Sequence, residues 1–229
     1  MALSDVEPKK PGGADPRARM IARAAREIAP GMVVNLGIGL PTRVVDYLPA
    51  DMPACLHTEN GMTGIGPTRP YETADRNLID AGGAYISTVP GSAYFDSVVS
   101  FALVRSGRLD LTMLGAFEVA RNGDLANWKI PGRFSPGAGG AIELAQKARR
   151  VVVMTTHTDR KGNPKLLERC TLPLTARGHV ARIFTDLAVV DVTPQGFVLR
   201  ELAQGISAAQ VAGATGAPLH IPDTDIPIF

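Results

Sequence analysis

The chain is poor in aromatic residues, which make up 5% of it, and Trp128 is its only tryptophan. So few rings leave little on which unpaired bases stack. A formal net charge of +2 is too small to hold a nucleic acid or a membrane surface. Cysteine is equally scarce. Cys55 and Cys170 stand far apart, outside any CxxC or metal-ligand spacing, the pattern of a reduced intracellular protein with two small buried thiols. No apolar run reaches the roughly 18 residues of a membrane span. Residues 1–13 are polar and rich in Pro and Gly, unlike a secretory leader. His57, His157, His179 and His220 form no HxH or HxxxH pair, so no zinc site is indicated. The dinucleotide fingerprint GxGxxG fails at Thr42, and no GxSxG elbow or P-loop lysine occurs. These absences predict a soluble, cytoplasmic protein with no metal and no nucleic-acid or membrane partner.

What remains is an ordinary globular composition, 45% hydrophobic and 20% charged over 229 residues. Residues 1–14 read as a disordered lead. Asp15-Pro16 then makes a helix start, an N-cap acid followed by proline at the first helical position. Met20, Ile21, Ala24, Ala25 and Ile28 share one face of that helix, and Arg19, Arg23 and Arg26 form a stripe read as solvated. A β-rich run at 32–36 leads through a glycine loop, 37–42, into a helical segment at 43–48. Residues 68–80 read as an irregular excursion, 84–89 as a strand, and 91–105 as a helix laying Phe95, Val98, Val99, Ala102 and Leu103 on the sheet. A strand at 109–115, a loop at 123–134 and a glycine-rich helix start at 135–140 follow. Val151-Val152-Val153-Met154 is a continuous apolar run, typical of a parallel strand covered on both faces. Residues 159–165 are a charged loop whose Arg160, Lys161 and Lys165 read as solvated. Residues 187–201 form a hairpin about Pro194-Gln195-Gly196, and a short helix spans 207–214. Strands and helices alternate without repeat or linker. The expected fold is therefore α/β: a single three-layer domain over 15–217, with a mostly parallel sheet, helices on both faces, a C-terminal β-hairpin and an extended tail at 218–229.

Leu56-His57-Thr58-Glu59-Asn60-Gly61 carries the chemistry. It is a short strand that delivers a carboxylate to its tip and breaks at an Asn-Gly turn, where both residues tolerate φ > 0. Ligand sites of open α/β sheets lie at the carboxyl ends of strands, which suits both Glu59 and the Gly37–Gly39 loop. The second loop, Gly139-Gly140, has so little side chain that its amides are exposed, as an oxyanion hole requires. One carboxylate beside two amide-rich loops suits covalent catalysis by Glu59. His57 shares its strand face and offers an acid–base dyad, but a lone strand histidine is more often packing, and it is read so here.

Seven segments in order resemble the B subunits of the 3-oxoacid CoA-transferases: 34–39, Thr58-Glu59-Asn60-Gly61, 114–117, Gly123-Asp124-Leu125-Ala126-Asn127-Trp128, Gly139-Gly140-Ala141, 170–175 and 185–189. The resemblance spans about residue 16 to residue 219. Thr58 stands where serine is common, and Ile142-Glu143 where Met-Asp is usual. The loop at 130–138 departs more. The resemblance implies that Glu59 is the covalent nucleophile, that CoA is substrate and covalent intermediate rather than a resident cofactor, and that the partner is a CoA-transferase A subunit. It implies ping-pong transfer of CoA, from an acyl-CoA such as succinyl-CoA to a 3-oxoacid. Gly139 and Gly140 are the candidate oxyanion donors, Gly37 and Gly39 back CoA or a carboxylate, and Asn60 shapes the turn. Arg43, Arg69 or Arg133 is available to a second substrate carboxylate. The alternatives are an acyl-CoA hydrolase using the same glutamate and a non-catalytic member of a larger complex.

Overall fold

The computed structural model describes residues 15–49, 51–135 and 137–229, so the expected lead at 1–14 lies outside the described residues. Helix α1 (Pro16–Ala25) starts where the sequence places it. The Asp15 side chain accepts from the Arg17 amide, and Met20, Ile21 and Ala24 are fully buried. Of the arginine stripe, Arg26 is exposed as expected, and Arg23 departs from expectation. Arg23 lies across the Phe184 ring and bonds to both carboxylate oxygens of Glu201, at 2.6 and 2.7 Å. It is an internal ion-pair residue, because the neighbouring strands bring acids to it.

The strands are β1 (Val33–Leu36), β2 (Cys55–Thr58), β3 (Met62–Thr68), β4 (Ile86–Tyr94), β5 (Leu111–Gly115), β6 (Glu118–Ala120), β7 (Leu125–Ala126), β8 (Val151–Met154), β9 (Leu166–Leu167), β10 (Val180–Phe184), β11 (Ala188–Thr193), β12 (Gly196–Leu202) and β13 (Leu219–His220). Ten of them form one sheet in the order β13-β12-β11-β10-β8-β5-β1-β2-β3-β4. Its middle, β10-β8-β5-β1-β2, is parallel throughout, and the antiparallel strands β3-β4 and the hairpin β11-β12 extend it at either side. β8 is buried at every position, as its unbroken apolar run requires. Strands β7-β6-β9 form a small second sheet.

Helices cover both faces. α1 and a 3-10 helix, Pro41–Tyr47, pack Ile21, Val44 and Val45 against Leu56, Met113 and Phe184. On the other face α2 (Ser97–Arg105), α3 (Ala141–Lys147) and α4 (Ala208–Ala214) bring Val104, Leu144 and Val211 to Leu114, Val153 and Ile183. The segment expected to be helical at 43–48 is thus the tighter 3-10 form. The helix expected at 91–105 begins only at Ser97, where Asp96 accepts from the Val99 amide at 2.8 Å. Residues 91–94 instead continue β4, with Ala93 and Tyr94 paired to Thr63 and Met62. The buried face of α2 is also different, since Ser100 and Val104 turn inward while Val98 is 71% and Val99 50% exposed. Residues 218–229 form β13 and then return to the sheet, with the Phe229 amide donating to the Leu202 carbonyl.

The ends of the sheet away from the strand tips are tied by charge. Glu27, whose side chain is 7% exposed, meets Arg23 at 3.2 Å, Arg150 at 2.7 Å and Arg182 at 3.0 Å. Glu27→Ala leaves three guanidinium groups facing one another around a cavity, and is expected to lower the unfolding free energy by about 3 kcal/mol in urea titrations. A loss below about 1 kcal/mol would show that water replaces the carboxylate at little cost.

Candidate active site

Glu59 leaves the tip of β2 into a turn that is bonded on every side. The Gly61 amide donates to the Thr58 carbonyl at 3.1 Å, and the Phe95 amide to the Gly61 carbonyl at 2.9 Å. Gly61 has φ +125°, and a Cβ there would run into the Phe95 carbonyl oxygen, so only glycine fits. The Asn60 side chain donates to the Ile79 carbonyl at 2.9 Å and accepts from the Thr58 hydroxyl at 2.8 Å. That hydroxyl accepts in turn from the Ala81 amide. Asn60 and Thr58 therefore hold the turn against the 79–84 loop, and threonine does here what serine would do.

Beneath the carboxylate runs a row of buried polar side chains across three parallel strands. The register sets Asn35 of β1 beside His57 of β2 and Thr112 of β5, and all three are completely buried. The Asn35 amide nitrogen lies 3.3 Å from Glu59 Oε2, 3.2 Å from His57 Nδ1 and 3.3 Å from the His57 carbonyl. Thr112 donates to Asn35 Oδ1 at 3.3 Å. His57 Nε2 lies 2.9 Å from Ser100 Oγ on α2, and Phe95 stacks on the ring. Burial lowers the His57 pKa to about 4, so the ring is neutral. It meets Glu59 only through Asn35, so there is no direct His57–Glu59 dyad. The sequence assigned Asn35 no role. Its signal was an amide inside the apolar run 32–36, where an unpaired polar group is expensive.

Of the expected glycines, Gly140 comes closest to Glu59. A Cβ at Gly140 would lie 3.3 Å from Glu59 Cγ and 2.9 Å from the Phe101 ring, so the bare backbone makes room for the carboxylate arm. Gly139 precedes it, exposed, at the start of α3. Gly39 is exposed in its loop, one strand over. The Gly37 amide is not available to a ligand, because it donates to the Met113 carbonyl at 2.8 Å. Among the described residues no lysine or arginine pairs with Glu59, Arg43, Arg69 and Arg133 included, and no three His, Cys, Asp or Glu side chains gather in a metal-binding group. No helix among them is long and apolar enough to cross a membrane.

The other distinctive segments are fastened to one another nearby. Asn127 accepts from Thr175 at 2.6 Å and donates to the Gly115 carbonyl at 3.0 Å, and Trp128 donates to the Leu174 carbonyl. Cys170 is held as a neutral thiol. Burial, with Glu118 and Asp124 nearby, pushes its thiol up to about 12. Lys165, expected in a solvated loop, is half-buried and donates to the hydroxyls of Thr155 and Thr156.

Residues 17–214 match the family described as coenzyme A transferase. The chain is 48% identical over 209 residues to a probable coenzyme A transferase beta chain of Bacillus subtilis, covering 91% of this chain and 96% of that one. It is 43% identical to the B subunit of the succinyl-CoA:3-ketoacid coenzyme A transferase of Helicobacter pylori, over 90% and 99% of the two chains. Among solved structures, an acyl-CoA transferase of Escherichia coli O157:H7, in a thioester complex with CoA, superposes with a TM-score of 0.74 at 21% identity. That match covers 96% of this chain and 44% of the longer neighbour, and is a likeness of fold.

A second neutral histidine makes stability depend on pH. His157 is fully buried between the Thr185 and Thr215 hydroxyls, at 3.0 and 2.9 Å, and burial lowers its pKa to about 4 against the opposing pull of Asp186. For His57 and His157 alike, the unfolded chain binds a proton that the folded one excludes. Their stabilisation is complete above the ordinary imidazole value of about 6.5 and is lost as the pH falls towards 4, by roughly 2–3 kcal/mol for each ring. Urea midpoints measured at pH 7, 5.5 and 4 are expected to fall accordingly; midpoints that stay level would show that neither ring is held neutral.

Proposed function

The chain belongs to the coenzyme A transferase family, and from that premise we propose that it moves CoA from an acyl-CoA, succinyl-CoA in particular, to a 3-oxoacid through a thioester on Glu59. The observation that carries the reading is the setting of Glu59. It is a carboxylate at a strand tip, bonded to a neutral amide at 3.3 Å, paired to no cation among the described residues and lying against the open backbone of Gly140. A carboxylate held this way is oriented for attack, with Gly140 leaving space beside it.

In the proposed sequence, a Glu59 oxygen adds to the thioester carbonyl of the acyl-CoA. Collapse of the oxyanion expels CoA thiolate and leaves a glutamyl–acyl anhydride. The thiolate then adds to the glutamyl carbonyl and expels the acyl group as its carboxylate, so that Glu59 carries CoA as a thioester. The carboxylate of the 3-oxoacid adds to that carbonyl, expelling thiolate and forming a second anhydride. Attack of the thiolate on its 3-oxoacyl carbonyl releases 3-oxoacyl-CoA and restores the Glu59 carboxylate. No proton is gained or lost over the cycle. The amides of Gly139 and Gly140 are the proposed oxyanion donors, each of a kind worth about 10²–10³ in rate. Gly39 remains as a backbone donor to CoA or a carboxylate, and Asn60 holds the turn.

Both anhydrides would be lost to water in an open site. Val98 of α2, Ile38, Phe134 and Ile142 are large apolar side chains exposed on the segments around Glu59, and relatives carry the names of a beta or B subunit. The complementary A subunit is the proposed cover for this face and the other half of the site.

With its partner and succinyl-CoA or acetoacetyl-CoA, the protein is expected to show CoA mass on the peptide holding Glu59, and Glu59→Ala to show none. Transfer at normal rate by Glu59→Ala overturns the mechanism. Steady release of free CoA, with no dependence on a 3-oxoacid, would point to a hydrolase. Val98→Asp, at a position 71% exposed, is expected to leave the melting temperature nearly unchanged and to weaken association with that partner by about tenfold or more. Unaltered association would place the interface elsewhere.

A further inference from the structure

The row beneath Glu59 has a direction. Glu59 Oε2 and the His57 carbonyl are acceptors only, so the nitrogen end of the Asn35 carboxamide must face them. An amide nitrogen is only a donor, so His57 Nδ1, 3.2 Å from it, must be a bare lone pair. The single ring proton then lies on Nε2 and is donated to Ser100 Oγ at 2.9 Å. The ring on β2 thus accepts from the amide on β1 through Nδ1 and donates to Ser100 on α2 through Nε2.

We propose that His57 is a positioning residue for the Glu59 nucleophile: its Nδ1 lone pair fixes the Asn35 carboxamide with the nitrogen end towards the carboxylate. The proposal rests on the role assigned to Glu59 above. Without that lone pair the nitrogen end keeps only the carbonyl of residue 57 and Glu59 itself, each at 3.3 Å, and Thr112 adds no preference, because a hydroxyl serves either end of an amide. With a proton on Nδ1 the amide is driven to turn over, and its oxygen would then repel the carboxylate. The neutrality imposed by burial keeps the lone pair available across the pH range in which a carboxylate nucleophile works. Nothing in the row needs His57 to exchange a proton, which agrees with a cycle that takes none up.

Two substitutions separate positioning from packing. His57→Asn sets an amide oxygen near the place of Nδ1, and His57→Leu fills the space without an acceptor. Both lose the ring and are expected to melt at similarly lowered temperatures. In the assembled enzyme, the single-turnover rate of thioester formation on Glu59 is expected to fall about 10–100-fold in His57→Leu, with KM for the acyl-CoA within about twofold. His57→Asn is expected to recover most of that rate. Equal losses in the two variants, or none in either, overturn the proposal. If the wild type forms no thioester at all, it is the role of Glu59 that fails. The proposal is then judged by nitrogen-15 resonances of the His57 ring, where a protonated Nε2 and a bare Nδ1 are expected between pH 6 and pH 8. A proton found on Nδ1 overturns it.

Discussion

The register between β1 and β2 is the constraint on which the site depends. Asn35 lies beside His57 because Val33 and Val34 pair with Cys55 and Leu56, and beside Thr112 because β5 pairs with β1 in the matching frame. A slip of one residue in β1 would turn Asn35 to the opposite face and set an apolar side chain under Glu59. Hydrophobic burial prevents that slip, since Val34 and Leu36 share the face that belongs to the core under α1 and the 3-10 helix. The apolar residues thus hold the polar ones in line.

Placing three polar side chains in the middle of a buried parallel sheet is costly unless each finds partners. Here each does, and the chain of bonds ends at a carboxylate that reaches the strand tip. Such a network holds one geometry firmly when it is complete. The turn above it is equally determined, through Thr58, Asn60 and the close approach of Phe95 to Gly61. Glu59 is held from below by the Asn35 amide on Oε2, and its turn is held from above by backbone.

Helix α2 shows how a sound pattern leads to the wrong face. Val98, Val99 and Ala102 have helical spacing, and the sequence reading laid them on the sheet. Inside the chain that place is taken by Ser100, which meets His57, and by Val104. Periodicity reports that a helix has an apolar side but not what covers it. Arg23 of α1 erred the other way. Arg23 looked solvated because its acidic partner, Glu201, is 178 residues distant in the chain.

The sequence by itself determined the elements whose causes are local. Asp15-Pro16 starts α1, the run at 151–154 is the fully buried β8, Pro194-Gln195-Gly196 closes the hairpin, and Asn60-Gly61 turns the chain behind Glu59. Propensity, capping and turn chemistry act over a few residues and leave their mark there. The tertiary structure alone decided the rest. Strands β6, β7, β9 and β13 are two or three residues long, too short to show a period, and exist because a neighbour pairs with them. Asn35 reached Glu59, and Ser100 reached His57, by strand register and helix packing across 24 and 43 residues. The nucleophile was legible because its turn is local; the side chains that orient it were not, because their arrangement is a property of the folded sheet.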